Sequence, residues 1–321
     1  MADERVIVTG AAGYLGHRVC DRLQQAGYGV VAVDLFPRGQ QTLRQLLGPD
    51  ALLVQADVRD LAAITALARE HRPVAWVQLA AKVGEKVCDE DPALAEQVNR
   101  ESALQAAQTA REHGCKTFIL SSTCSVYGIA RDKAVAETDP ANPISVYGRT
   151  KLAAEQLVLE QANGSMKSVV FRLSTLFGLS ERMRFDLTVN QFAAEAHYEN
   201  RLEVYSGASK RPYLNVDEAG RAFVWTIQNN LDSGVYNLGH SRLNYSKDEI
   251  VLLVRKHWPT VTVENLGAGK DRRDYVVNFD KMARRGFVVG QDVDEGLGII
   301  RDFLVGRAQP IDFRSKLYEA T

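Results

Sequence analysis

The feature of this 321-residue chain that most limits its fold is a repeated switch between two hydrophobic periods. Strand-length apolar runs at 5–10 (RVIVTG), 28–34 (YGVVAVD), 51–57 (ALLVQAD), 74–81 (VAWVQLAA) and 116–122 (KTFILSS) alternate with stretches of helical spacing. The longest of these is an alanine-rich helix predicted from about 92 to 113. A sixth strand, 168–174 (SVVFRLS), follows another helix. Parallel strands joined by helical crossovers wind right-handed onto both faces of one sheet. The first half therefore predicts an α/β, doubly wound, mostly parallel sheet.

The turn after the first strand sharpens this. VTGAAGYLG places Gly10, Gly13 and Gly16 between strand and helix, where the backbone must approach closely. A helix N-terminus there offers N–H groups and partial positive charge to a diphosphate. Asp34 ends the second strand, 18 residues beyond Gly16. A carboxylate at that place accepts from an adenosine ribose diol and repels a 2′-phosphate, so the cofactor expected is NAD rather than NADP. Arg38 nearby is a counter-signal. Asp57, after the third strand, meets the adenine edge or caps the next helix; both readings stand. This is the Rossmann arrangement, assigned to residues 1–176 with later strands contributed by about 212–240. Residues 177–321 read as a smaller, interleaved α/β substrate lobe. It holds a helical stretch at 182–200, a strand running into a helix at 211–230, and a capping box in which Ser246 precedes Glu249 by three residues.

Composition removes other classes. Lys and Arg number 39 against 40 Asp and Glu, giving a net charge of −1 with no basic stripe, which argues against a nucleic-acid partner. No apolar run reaches a membrane span, and the early first strand leaves no space for a signal peptide. Cys20, Cys88, Cys115 and Cys124 lack C-x-x-C pairing, and the six histidines lack metal-ligand spacing. Reduced thiols, a cytoplasmic location and no metal are expected.

SVYGRTK sets Tyr147 and Lys151 four residues apart, on one face of a helix beginning after Pro143. To act near neutrality a tyrosine must lose about three pKa units, or about 4 kcal/mol. A solvated lysine contributes about 0–1 kcal/mol, so the pair works only inside a cleft.

Together the glycine turn, Asp34, Asp57-Val58, LAAK (79–82), Asn99, SSTCSVYG (121–128) and YGRTK resemble the extended short-chain dehydrogenase/reductase family, closest to its nucleotide-sugar-modifying members. The resemblance implies a catalytic set of Thr123, Tyr147 and Lys151. It implies NAD contacts from Gly10, Gly13, Tyr14, Leu15, Gly16, Asp34, Leu35, Asp57, Val58, Leu79, Ala80, Ala81, Lys82, Asn99, Ser121, Tyr147 and Lys151. It implies substrate contacts from Lys82, Glu85, Thr123, Thr175, Asn190, Tyr205, Arg211 and Arg273, with Arg272 competing for the last place. Two guanidinium forks suit a diphosphate. Dehydrating members carry Asp-Glu after the threonine and decarboxylating members keep the Glu; here Cys124 and Ser125 stand there, and neither is an acid. The chemistry implied is hydride transfer at C4 of a nucleotide diphosphate sugar. An NAD-dependent 4-epimerase is expected, with a 4-dehydrogenase or 4-ketoreductase and a non-catalytic NAD sensor as the alternatives. A homodimer is the family-level expectation. MRFD (183–186) departs from the family pattern. Cys124 reads as a buried thiol, having no histidine placed to activate it.

Overall fold

The computed structural model describes residues 4–49, 51–269, 272–307 and 311–316. Residues 1–3, on which the expectation of no signal peptide rests, lie outside the described residues. Seven strands form the large sheet: β1 (Arg5–Thr9), β2 (Gly29–Asp34), β3 (Leu52–Gln55), β4 (Ala75–Gln78), β5 (Thr117–Thr123), β6 (Lys167–Leu173) and β7 (Gly234–Leu238). All pair in parallel, in the order β3-β2-β1-β4-β5-β6-β7. Val6, Ile7 and Val8 of β1, Trp76 of β4 and Phe118 of β5 are all 0% exposed. Strands covered on both faces read as unbroken apolar runs, which is why they were legible. The order reverses between β1 and β4, and a crevice opens there at the carboxyl ends of the strands.

Three elements differ from the sequence reading. The long alanine-rich helix is Pro92–Glu96, a π-helical turn Gln97–Glu101, and then Ser102–Glu112. The extra residue of the π turn carries Asn99, which is buried. Its amide accepts from the backbone N–H of Lys82 (2.7 Å) and donates to the Lys82 carbonyl (3.0 Å) and Thr150 Oγ1 (3.1 Å). Residues 182–187 are irregular, and the helix expected across them is Thr188–Tyr198. Strand Lys210–Asn215 pairs with Thr175–Phe177 and Asn244–Ser246 in a separate three-stranded sheet. Of the late strands expected in the large sheet, only β7 lies in it. The Ser246–Glu249 capping box forms, both hydrogen bonds being present at 3.1 and 2.7 Å.

A buried polar network fastens helix Val146–Leu159 to the sheet. Arg172 on β6 forks onto Glu155 of that helix (2.8, 3.1 and 3.2 Å), with both side chains almost fully buried. Ser122 Oγ donates to the same carboxylate. Arg172 Nη1 donates to the Tyr127 hydroxyl (3.0 Å), which donates to Asn237 on β7 (2.8 Å). Losing one member strands a desolvated charge, so Arg172→Met is expected to destabilise the protein by about 3–5 kcal/mol. A urea midpoint matching the parent protein would contradict this.

Candidate active site

The glycine turn, Asp34 and Thr123 stand at or just beyond strand ends, and Tyr147 stands in the first turn of a helix. Gly10 closes β1 at φ +72°, and a Cβ there would sit 2.7 Å from the Ala80 nitrogen at the end of β4. At Gly16, in the first turn of helix Tyr14–Gln25, a Cβ would meet the Gly10 carbonyl oxygen at 2.2 Å. A side chain at Gly10 would push the turn away from β4, and one at Gly16 would push the helix away from the turn. Asp34, at the end of β2, accepts from Ala12 N and Phe36 N, both at 3.0 Å. Each carboxylate oxygen keeps further acceptor capacity. Asp57 is gripped by Arg59 (2.6–3.1 Å), whose guanidinium holds it below the usual carboxylate range. The cap of the next helix is Asp60, so the capping role open to Asp57 belongs to its neighbour.

Ser145 caps helix Val146–Leu159 by accepting from Gly148 N (3.1 Å), which fixes Tyr147 in the first turn and Lys151 one turn later. Lys151 is 2% exposed. Its ammonium donates no hydrogen bond to any described residue. Burial pushes it down to about 8, against the attraction of Glu155. Tyr147 faces a cavity of about 680 Å³ and is pushed up to about 12 by burial. Arg184 is the largest influence opposing that rise, Cys88 adds to it, and Arg273 and a hydrogen bond with Thr123 also oppose it. The cation expected to oppose it from the sequence, Lys151, lies one turn further along the same helix. Thr123, at the end of β5, accepts from Ser125 N (3.1 Å), leaving its own proton for a ligand or Tyr147.

The cavity is continuous along these residues. Gly10, Gly13, Tyr14, Leu15, Gly16, Asp34, Leu35, Asp57, Val58, Leu79, Ala80, Ala81, Lys82, Ser121, Thr123, Tyr147, Thr175, Arg211 and Arg273 line it. Arg211 and Arg273 adjoin: Arg211 Nη1 donates to the Arg273 carbonyl and its guanidinium lies 5.3 Å from the Tyr275 ring centroid. Arg273 Nη1 donates to Ser125 Oγ (2.7 Å), and its Nε lies 3.1 Å from Glu85. Arg272 is exposed and outside the cavity.

Several expected contacts fall elsewhere. Asn190 is 0% exposed. Its amide is spent on Gly178 N (2.9 Å), the Tyr14 hydroxyl (3.1 Å) and the Arg184 carbonyl (2.9 Å), so it braces the wall instead of facing a ligand. Asn99 acts through the Lys82 backbone, and Glu85 through Arg273. Tyr205 is half exposed outside the cavity, and its carbonyl accepts from Lys247 (2.8 Å), which does line it. Cys124 is buried, donates to the Arg172 carbonyl (3.2 Å) and has its thiol pushed up by burial, as befits packing. Sequence reading missed Arg59, Arg182, Arg184, Asp186, Gln191 and Lys247 as lining residues. MRFD was the available signal for two of them.

A lysine in the unfolded chain holds its proton to about 10.4, whereas buried Lys151 releases it near 8. At pH 7 the folded state therefore carries the full cost of the buried charge, and this cost shrinks as pH rises from about 8 to 10. Lys151→Met is expected to stabilise the protein by about 1–3 kcal/mol at pH 7 and by less at pH 9.5. Calorimetric melting temperatures unchanged or lowered at both values would contradict it.

A family model described as the NAD dependent epimerase/dehydratase family matches residues 6–239. UDP-glucose 4-epimerase of Rhizobium leguminosarum bv. trifolii is 29% identical over 303 residues, 88% of this chain and 91% of that one. UDP-glucose 4-epimerase of Mycolicibacterium smegmatis is 36% identical over 226 residues, 68% and 72% of the two chains. The Thermotoga maritima UDP-glucose 4-epimerase structure with UDP-glucose superposes at TM-score 0.82 and 25% identity, over 93% of this chain and 98% of that one. The Thermus thermophilus enzyme complexed with NAD shares the fold at TM-score 0.84 and 23% identity, over 95% and 100%. With a matched stretch spanning the large sheet from β1 to β7, the chain belongs to the NAD dependent epimerase/dehydratase family.

Proposed function

We propose that this protein is an NAD-dependent nucleotide-sugar 4-epimerase, oxidising and re-reducing its substrate at C4. The observation that carries the reading is the single cavity joining the glycine turn and Asp34, through Thr123 and Tyr147, to Arg211 and Arg273. The residues fit a dinucleotide at one end. A side chain at Gly10 or Gly16 would fill the cradle, and the buried Lys151 ammonium has no acceptor among the described residues, leaving its donors for a ribose diol. NAD, when bound, supplies hydride acceptance and return.

The chain's own residues do the rest. The turn Gly10–Gly16 holds the diphosphate on a helix N-terminus, and Asp34 takes the adenosine ribose hydroxyls. Tyr147 removes the proton from the C4 hydroxyl and later returns it, while Thr123 donates to the same oxygen. Arg211 and Arg273, with Lys247, face the substrate diphosphate. Arg273 on Ser125 occupies the place where an eliminating enzyme would need an acid, which favours epimerisation over loss of water. In this reading residues 1–176 with β7 hold the cofactor, and 177–321 hold the nucleotide sugar. We further read the protein as a cytoplasmic homodimer. Four free buried cysteines suit a reducing compartment, and no helix among the described residues is long and apolar enough to cross a membrane.

Mass spectrometry of ligands released from the purified protein should find NAD. A panel of nucleotide sugars beginning with UDP-glucose should show C4 inversion with no net absorbance change at 340 nm. Stoichiometric NADH would replace epimerase with a net dehydrogenase. Tyr147→Phe should lower kcat by about 10²–10⁴-fold while NAD still copurifies. Undiminished turnover in that variant would remove Tyr147 from the mechanism.

A further inference from the structure

Helix Thr188–Tyr198 begins on the cavity wall. Leu187, Thr188 and Gln191 line the cavity there, whereas Asn190 is 0% exposed. Glu195 stands four residues after Gln191, on the same helix face, and is 1% exposed. Gln191 Nε2 donates to Glu195 Oε1 (2.9 Å). A carboxylate has no proton to give, so the amide must turn its nitrogen toward Glu195. The Gln191 carbonyl oxygen accepts from no described residue and is the group left for the cavity.

The orienting carboxylate is itself held from outside the helix. Arg314 Nη1 lies 3.4 Å from Glu195 Oε1, and Arg314 forks onto Glu199 through Nε (2.9 Å) and Nη2. Phe313, which is buried, stacks on Tyr198 with ring centroids 5.7 Å apart and meets Phe185 edge-on at 6.3 Å. Ile311 N donates to the Tyr198 hydroxyl (3.2 Å). Residues 311–314 therefore fasten the helix that bears Gln191 and Glu195. Burial pushes the Glu195 carboxyl up, and the Gln191 hydrogen bond and the Arg314 charge oppose that rise.

Resting on the epimerase reading, we infer that Gln191 is a specificity-determining residue whose carbonyl oxygen accepts a hydrogen bond from the uridine of the substrate, and that Glu195 and Arg314 are positioning residues that fix the direction of its amide. Arg211 and Lys247, read as facing the substrate diphosphate, line the same cavity from the same lobe. An amide that can only accept on that wall selects a donor, either the uracil N3–H or a ribose hydroxyl. A ligand without that donor leaves the oxygen unpaired.

The experiment measures UDP binding to the full-length, NAD-loaded protein by calorimetry. Three probes each lack one donor: 3-methyl-UDP, 2′-deoxy-UDP and 3′-deoxy-UDP. Gln191→Met, close in size but without the amide, should weaken UDP by about 3–10-fold. It should leave unchanged the Kd of the one probe that lacks the donor Gln191 reads, which assigns the contact to base or ribose. Glu195→Gln frees the amide to turn and should weaken UDP by a smaller factor, and Arg314→Met should follow it. Gln191→Met combined with Glu195→Gln should weaken UDP no more than Gln191→Met alone. A structural role would instead weaken all four nucleotides alike and make the two losses multiply. Either of those results, or unchanged UDP affinity in Gln191→Met, would overturn the inference and leave the epimerase reading intact. So would a parent protein that binds NAD and other nucleotide sugars but no UDP. Failure of the whole nucleotide-sugar panel to bind would remove the epimerase reading, and this inference with it.

Discussion

The ion pair of Glu155 with Arg172 ties the chemistry of this protein to its sheet. It joins the helix bearing Tyr147 and Lys151 to β6, draws Ser122 of β5 onto the same carboxylate, and reaches β7 through Tyr127 and Asn237. Two charges so deeply buried gain little net stability over an apolar pair of similar size. What they add is register. Thr123 follows Ser122 directly, and Lys151 lies one turn before Glu155, so one carboxylate aligns the strand end bearing Thr123 with the helix bearing Tyr147 and Lys151. Glu155 also opposes the desolvation of Lys151. Support and electrostatics arise from the same contact.

Burial governs the titrating groups around that contact. It raises Tyr147 and Cys88 and lowers Lys151, because each would lose hydration in its charged form. The charges that oppose the rise of Tyr147 come from Arg184 and Arg273.

Much of the fold and half of the site were legible in the chain. Strands buried on both faces announce themselves as apolar runs, and the close approach of the turn to the chain after β4 and of the helix to the turn leaves no choice of residue at Gly10 or Gly16. Tyr147 and Lys151 were legible because helical spacing fixes their common face. Asn190, Asn99, Glu85 and Tyr205 were placed among the ligands by the family resemblance. The structure instead uses Asn190 and Asn99 to hold backbone, Glu85 to hold an arginine, and the Tyr205 carbonyl to hold Lys247. A side-chain amide or carboxylate states what bonds it can make, but not which partner the fold will bring within 3 Å.

The sequence by itself determined the doubly wound sheet, the glycine turn, the carboxylate at the end of β2 and the family, because each is written in local patterns of residues. Only the tertiary structure decided that residues 182–187 leave the helix expected there, that a π turn swings Asn99 under Lys82, and that Arg184 and Asp186 join Tyr147 in lining one cavity. Those outcomes turn on desolvation and on charges separated by tens of residues. Neither quantity exists until the chain has closed around its own cleft.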